Sequence, residues 1–520
     1  MKQNNWLRVL LGFAAVKLIL HLYLNGQWSF HRDELLYMAL GRHLDWGFAS
    51  VPPGIGFWAW LGDALPGDSA GAVRLISTLF GTGTVVLTGL MAKEMLPREA
   101  SGKFAMILVG LAGLLSGAYL RPCMLFMPVV FDIYYWTLIC YLLLRYLNTG
   151  RSSWLLGLGV AAGLGLLNKY TVFMCLFALL PGLAFTPARR VFRDQKLYVA
   201  AGIAILIFLP NLLWQAEHRF PVVRHMSELA STQFAHVSWG SFFTDQLRFF
   251  LPALPVWLAG LYFLLFHPSG APWRVFGWMY LIVLAILLLF SGKSYYSLGA
   301  YPVLVAAGAA YLEQISRLRF YWIRWTVPVL MFIAGSMMVP VALPLFPPQQ
   351  EAEFVKRLSG IPGLKGVLRW EDGNYYALPQ DFADMLGWEE LAHQTGALWQ
   401  RLPDKNTAAI YADSYGQAGA VEYFGQAYDV PNVWSFSDNY RYWLPDSLSR
   451  NFTTLIYING ELGDDMPGFF YQIEKIWELD MPLSRQHGDQ IYLCQGPKPA
   501  FFERMNTAME RAKNEEEIED

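Results

Sequence analysis

Three acids and three cations in this sequence have the type and position to handle a proton and an anion. Asp33-Glu34 follows directly on the first apolar run. There a carboxylate could act as a general base or hold a metal ion; as an acidic helix start the pair would only favour the helix dipole. Asp132 lies within MLFMPVVFDIYYW. A carboxylate in such a run is expensive, and it should face a cavity or pair with a nearby Arg or Lys. Lys169 in LLNKYT, Lys293 in SGKSYY and Arg74 in AVRLIS stand at the ends of apolar runs. Singly, each would serve as a snorkelling anchor. Converging on one face, they would neutralise an anionic headgroup such as a phosphate, and Tyr295 and Tyr296 would add hydroxyl donors beside Lys293. His218, His225 and His236 share the stretch 216–240 and read as loop histidines ahead of metal ligands.

The elements that must position these residues are apolar. The 520-residue chain is 55% hydrophobic, 16% aromatic and only 15% charged, against about 25% charge in soluble domains. This excludes a disordered chain, a collagen and a nucleic-acid binder driven by bulk positive charge. Eleven stretches approach the length that crosses a bilayer: 6–24, 71–92, 104–120, 124–144, 154–167, 170–186, 197–215, 241–266, 273–291, 296–315 and 321–345. The fifth and sixth are short, are parted only by Asn168-Lys169, and could form one broken hairpin. Trp6–Leu24 has no small-residue cleavage site after it and reads as a retained span. With the N-terminus inside, the inner loops collect most Lys and Arg, including Lys2, Arg8, Lys93, Arg98, Arg189, Arg190 and Arg193. Positive-inside orientation therefore puts the N-terminus in the cytoplasm of a cell (inner) membrane. Eleven spans then put the C-terminal part outside it.

Charge divides the chain in two. Residues 1–346 carry 25 Lys+Arg against 13 Asp+Glu, and residues 347–520 carry 14 against 28. The expected architecture is a mainly α polytopic membrane domain over 1–346, with a first outer loop over 25–70, and an extracytoplasmic α/β domain over 347–520. In the loop, Asp33–Leu44 reads as an amphipathic helix lying beside a membrane surface. Pro52-Pro53-Gly54 then turns the chain into the apolar run Ile55–Leu65. In the second domain, strand-like runs are Thr407–Tyr411, Thr453–Ile458 and Gln490–Leu493, and helix-like runs are Gln350–Leu358, Asp381–Gln400 and Ala418–Phe424. Glu515–Asp520 is an acidic tail. Cys123, Cys140 and Cys175 lie in apolar runs, Cys494 is alone in the polar half, and no zinc-type spacing occurs.

Several segments together resemble a known signature. Asp33-Glu34, Tyr37, His43-Leu44-Asp45-Trp46-Gly47-Phe48 and Pro52-Pro53 are similar to the first loop of glycosyltransferase family 39-like membrane enzymes, the bacterial relatives of protein O-mannosyltransferases and of the lipid A aminoarabinose transferase. Val73-Arg74-Leu75, Phe131-Asp132, Gly163–Thr171, Asn211-Leu212-Leu213-Trp214-Gln215, Gly292-Lys293-Ser294-Tyr295-Tyr296 and Ala300-Tyr301-Pro302 follow in the family's order. Tyr415–Ala420 and Tyr423-Phe424-Gly425 are similar to the outer domain of many members. One departure is that the family's His before Pro-Pro is Val51 here, which removes a polar group near the acceptor.

The resemblance implies a GT-C fold with about 11 transmembrane helices and transfer of a sugar from a polyprenyl-phosphate donor to an acceptor outside the cytoplasm: a glycolipid such as lipid A, a polysaccharide or a protein hydroxyl. It makes Asp33 the candidate base with Glu34 beside it, and Asp132 the second carboxylate. It gives the phosphate to Lys169 and Lys293, with Arg74, Tyr295 and Tyr296 as further phosphate ligands, and sets His43 and Tyr415 on the acceptor side. In-line attack would invert the anomeric carbon. The donor is already activated as a phosphate ester and does not strictly need a metal, so no cofactor is required, a divalent metal is left open, and no nucleic acid is involved. A lipid or solute transporter is the competing class, but it would want broken helices in two related halves, and the sequence has no such half-to-half similarity. A non-catalytic membrane scaffold is a third class, and it would tolerate loss of Asp33, Asp132 and Lys293 together.

Overall fold

The computed structural model describes residues 5–65, 70–232, 239–361 and 365–514. His236 and the acidic tail at 515–520 lie outside the described residues. The first part of the chain is helical: α1 (Asn5–Leu24), α2 (Arg32–Arg42), α3 (Gly54–Asp63), α4 (Ala70–Met95), α5 (Lys103–Leu115), α6 (Gly117–Met124), α7 (Pro128–Thr149), α8 (Ser153–Leu166), α9 (Thr171–Ala184), α10 (Gln195–Glu217), α11 (Pro221–Thr232), α12 (Trp239–Phe249), α13 (Leu254–Leu265), α14 (Arg274–Leu289), α15 (Tyr301–Leu318) and α16 (Ile323–Ala342). A helix occurs at each of the eleven expected stretches. Among the described residues, however, only six are long and apolar enough to cross a membrane by themselves, and up to nine if each of three bent pairs is one span. The bends account for the step from six to nine; of the other two expected stretches, 154–167 forms only the short helix α8, and α15 is not among the candidate spans. α5 and α6 meet at 55° through Ser116, whose backbone is extended. Such a break frees carbonyls that a continuous helix would satisfy, and the fully buried Lys17 of α1 donates its Nζ to two of them, Gly113 O at 3.2 Å and Tyr119 O at 2.7 Å.

The C-terminal part runs α17 (Pro348–Leu358), α18 (Gln380–Ala383), α19 (Trp388–Arg401), β1 (Ala408–Ala412), α20 (Tyr415–Phe424), β2 (Thr454–Asn459), α21 (Met466–Phe469), β3 (Phe470–Glu478), β4 (Gln490–Pro497) and α22 (Pro499–Lys513). The four strands form one sheet in the order β1-β2-β4-β3, with β1 parallel to β2 and the other pairs antiparallel. Two differences from expectation have local causes. The single helix expected over 381–400 is divided because Gly387 takes φ +93° and starts α19 afresh. β3, unanticipated, is an edge strand whose side chains are mostly exposed, so it lacks the alternation that marks a half-buried strand.

α2 also differs from its expected setting. It does not lie open beside a membrane: Glu34 to Gly41 are all buried, and the helix packs between α3 and α20. Phe30, Leu35 and Leu40 share one apolar cluster with Phe126 and Phe131 of the helical bundle and with Trp388, Ile410 and Ile456 of the α/β domain. The loop between α1 and α4 is thus the filling between two bodies.

Two brackets hold that loop. The first is a buried ion pair. Arg74 of α4, fully buried, gives Nε to Glu34 Oε1 (2.9 Å) and Nη2 to Glu34 Oε2 (2.6 Å). Its remaining donors meet the carbonyls of Asn25, Trp28 and Ser29. Glu34 also accepts the backbone N–H of His31 (2.7 Å) and of Phe126 (2.6 Å). The second bracket is the end of α10. Asn211 Nδ2 donates to Trp46 O, Gln215 Nε2 to Phe48 O, and Trp214 Nε1 to Asp45 Oδ2. Gly47 faces the Trp214 ring so closely that a Cβ would lie 2.3 Å from it.

Arg74→Ala leaves the Glu34 carboxylate buried and unpaired, and should destabilise the protein by about 3–5 kcal/mol; thermal unfolding in detergent should show a marked drop, and an unchanged midpoint would refute the bracket. Gly47→Ala forces Trp214 aside at about 1–3 kcal/mol, a smaller drop read in the same measurement.

Candidate functional site

Asp33 and Glu34 have opposite fates because successive helical residues point about 100° apart. A capping box starts α2: His31 accepts the N–H of Asp33, and Glu34 accepts the N–H of His31. Asp384, itself bonded by Arg485 at 3.0 Å, stands 3.6 Å from His31 Nε2 and steadies the cap. Glu34 turns inward to Arg74. Asp33 turns to the other side, partly open, where Tyr415 of α20 donates its hydroxyl to Oδ1 at 2.7 Å. Burial works against ionisation of Asp33, but His31, Arg32 and the Tyr415 hydroxyl outweigh it and hold the carboxyl below its ordinary value. Burial, with the Asp33 charge next, pushes the phenols of Tyr37 and Tyr415 well above theirs, so both remain donors.

Across from Asp33 lies a cationic group. Tyr295 and Tyr296 sit in a 3-10 turn over Ser294–Ala300, their rings 4.6 Å apart. Lys169, at the break between α8 and α9, places Nζ 5.1 Å from the Tyr295 ring centre and 5.2 Å from that of Tyr296. Lys293 Nζ is 5.9 Å from the Tyr295 ring. Tyr295 is within electrostatic reach of Asp33 and Tyr37, and Tyr296 of Asp132. Asp132 is buried on α7 with Lys169, Thr171 and Trp136 as its electrostatic partners. Its Oδ1 has no hydrogen-bond partner among the described residues. The α8–α9 break is held against the loop by Gly54, whose N–H donates to Leu167 O at 2.7 Å. A Cβ on Gly54 would lie 2.6 Å from that oxygen.

The structure therefore gathers Asp33, Tyr415, Tyr295, Tyr296, Lys169, Lys293 and Asp132 into one region. It removes two expected members. Glu34 and Arg74 are fully buried and spend their polar atoms on each other and on the backbone, so neither is free to meet a base's proton or a phosphate; their part is to position α2. His43 is also elsewhere. It caps the far end of α2, roughly 15 Å of helix from Asp33, and stacks on Trp443. His218 stacks on Trp214. Among the described residues, no three His, Cys, Asp or Glu side chains are placed to share a metal ion.

Two residues of the α/β domain join the region without a signal in the sequence. Glu371 Oε1 lies 3.6 Å from Lys293 Nζ. Asp438, a non-glycine residue at φ +49°, acts electrostatically on Tyr37 and Tyr415 and bonds Ser50; burial, outweighing His225 and Arg441, raises its carboxyl above the ordinary value. A positive φ is uncommon outside glycine, but it is visible only in the folded chain. Chemically, the arrangement is an ionised carboxylate with phenol donors, and a tyrosine pair with two lysines close by.

Comparisons with known proteins bear on the fold and on the family likeness. Residues 50–214 match the family model described as dolichyl-phosphate-mannose-protein mannosyltransferase. The lipid A galacturonosyltransferase RgtD of Rhizobium johnstonii is 28% identical over 235 residues, 44% of this chain and 47% of the relative, so the chain spans about half the length of that curated relative. The crystal structure of ArnT from Cupriavidus metallidurans in the apo state superposes over 95% of this chain and 99% of its own, with TM-score 0.58 and 15% identity. The same protein bound to undecaprenyl phosphate gives 0.59 and 14%, over 95% of this chain and 100% of its own. The chain is a multi-pass membrane protein with the GT-C fold, and it resembles the glycosyltransferase family 39-like membrane enzymes in sequence and in architecture.

Proposed function

We propose that this protein is a membrane glycosyltransferase that moves a sugar from a polyprenyl-phosphate donor to a glycolipid acceptor on the extracytoplasmic side of the membrane. The observation that carries the reading is the ionised Asp33 carboxylate facing Lys169 and Lys293 across Tyr295 and Tyr296. A polyprenyl tail would lie in the bilayer, with its phosphate at the level of the two lysines. The acceptor hydroxyl would attack the anomeric carbon from the opposite side and give its proton to Asp33. The bond from that carbon to the phosphate oxygen would break, and the lysines would hold the charge that builds on the departing polyprenyl phosphate. In-line displacement inverts the anomeric carbon. Asp132 would hold Lys169 in place from behind. The undecaprenyl phosphate in the ArnT structure supports the donor class, and the lipid A named for RgtD supports a glycolipid as acceptor. The charge pattern supports a cytoplasmic N-terminus, with the α/β domain of 347–520 outside the cytoplasm.

Purified protein in lipid nanodiscs, supplied with a panel of polyprenyl-phosphate sugars and glycolipid acceptors, tests this. Asp33→Asn should lower transfer by about a hundredfold to ten-thousandfold while the thermal midpoint holds; full activity in that variant would overturn the base assignment. Because the Asp33 carboxyl is held low, the acid limb of the pH–rate profile should lie below the ordinary carboxylate range of about 4. Tyr415→Phe removes one of the groups that hold it down, and should shift that limb upward.

A further inference from the structure

At the far end of α2 is a second cavity, of about 370 Å³, lined by His43, Asp45, Trp214, His218, Asn439 and Trp443, with Leu44 and Tyr442 at its edge. Its size falls among small-ligand pockets, about 300–1,000 Å³. The walls are flat rings in pairs. His43 stacks on Trp443 with centres 4.1 Å apart and planes at 21°. Trp214 stacks on His218 at 4.0 Å and 15°. Tyr442 stands edge-on to both rings of the second pair.

Between the rings are hydrogen-bonding edges. Asn439 Oδ1 accepts the N–H of Ala49 at 2.8 Å, which leaves its amide nitrogen unbonded among the described residues. The ring nitrogens of His43 and Nε2 of His218 are also without a hydrogen-bond partner among the described residues, while His218 Nδ1 is engaged with Trp214 O. Asp45 is the one carboxylate among the lining residues, and both its oxygens are engaged, by Trp46 N–H and Trp214 Nε1–H. Among the described residues, the lining contains no Lys or Arg.

We infer that this cavity binds one sugar ring of an oligosaccharide acceptor, away from the ring that reacts. A pyranose has apolar C–H faces that lie on aromatic rings, and hydroxyls around its rim that seek in-plane donors and acceptors. The cavity offers both. With no Lys or Arg among its described lining residues it has little to offer a phosphate, and the Asn439 amide and the histidine ring nitrogens suit it poorly to an acyl chain. Its place fits a second sugar. Ten helical residues, roughly 15 Å, separate it from Asp33, too far for a single ring to reach both. One loop joins the two: Asp438 acts on Tyr37 and Tyr415 beside Asp33, and the next residue, Asn439, lines the cavity. This inference rests on the proposed transferase reading, whose acceptor it makes a saccharide of at least two rings and not a peptide.

The test is a binding titration of the full chain in nanodiscs without donor, using deacylated lipid A–core oligosaccharide as the probe and a serine- and threonine-containing peptide as the contrast. Calorimetry and saturation-transfer NMR give the readout. The oligosaccharide should bind, Trp443→Ala should weaken it about tenfold, and Trp443→Phe, which keeps a ring, should restore most of the affinity. His43→Ala, at a partly exposed position, should weaken binding in the same direction and serves if Trp443→Ala fails to fold. No binding to the unaltered chain, unchanged binding in both alanine variants, or a peptide that competes for the cavity would each overturn the inference. Because no donor is present, failure here is separable from failure of the transferase reading, which would show as no sugar transfer from any donor in the activity assay.

Discussion

A single buried ion pair organises this molecule. Arg74 and Glu34 have no access to water, and burying two charges is unfavourable unless every donor and acceptor is met. Here they are met by each other and by the backbone of residues 25, 28, 29, 31 and 126. The pair therefore does more than join α2 to α4. It ties the end of α1, the start of α2 and the approach to α7 to one point, and so decides where Asp33 faces. The adjacent acids of the loop divide the work: one is spent on structure so that the other can stay charged and accessible.

The same division runs through the cations. Of the three at span ends, Arg74 is consumed internally, and Lys169 and Lys293 gather over the tyrosine pair. This matches side-chain chemistry. Arginine's planar fork can meet several carbonyls and a carboxylate at once, while lysine is a compact point charge suited to a phosphate. Glu371 lies 3.6 Å from the Lys293 ammonium, and Asp132 acts electrostatically on Lys169, so each lysine has a carboxylate in its surroundings.

Much of this was legible in the sequence, and the remainder was not for definite reasons. Apolar runs and charge asymmetry reveal the helical body and its polar partner, because a bilayer and water impose different compositions. They do not reveal bends such as that at Ser116, where a lysine from another helix repairs the backbone. Asp33, Lys169 and Lys293 could be singled out because each interrupts an apolar context. Arg74 and Glu34 stood out for the same reason, yet nothing local shows that they answer each other. Asp438 and Glu371 come from a polar domain where carboxylates are common, and only the packing of α20 and its neighbours on the loop brings them near. His43 caps the far end of α2, away from Asp33, a distinction that motif spacing does not carry.

The hydrogen bond between Asp33 and Tyr415 joins residues 382 positions apart. The first is synthesised long before the second, and the helices between them must be laid into the bilayer before they can meet. A ribosome-bound intermediate would carry the acidic loop without the domain that covers it and completes its surroundings. The surroundings of Asp33 are thus completed late in biogenesis, once the intervening helices are in the bilayer.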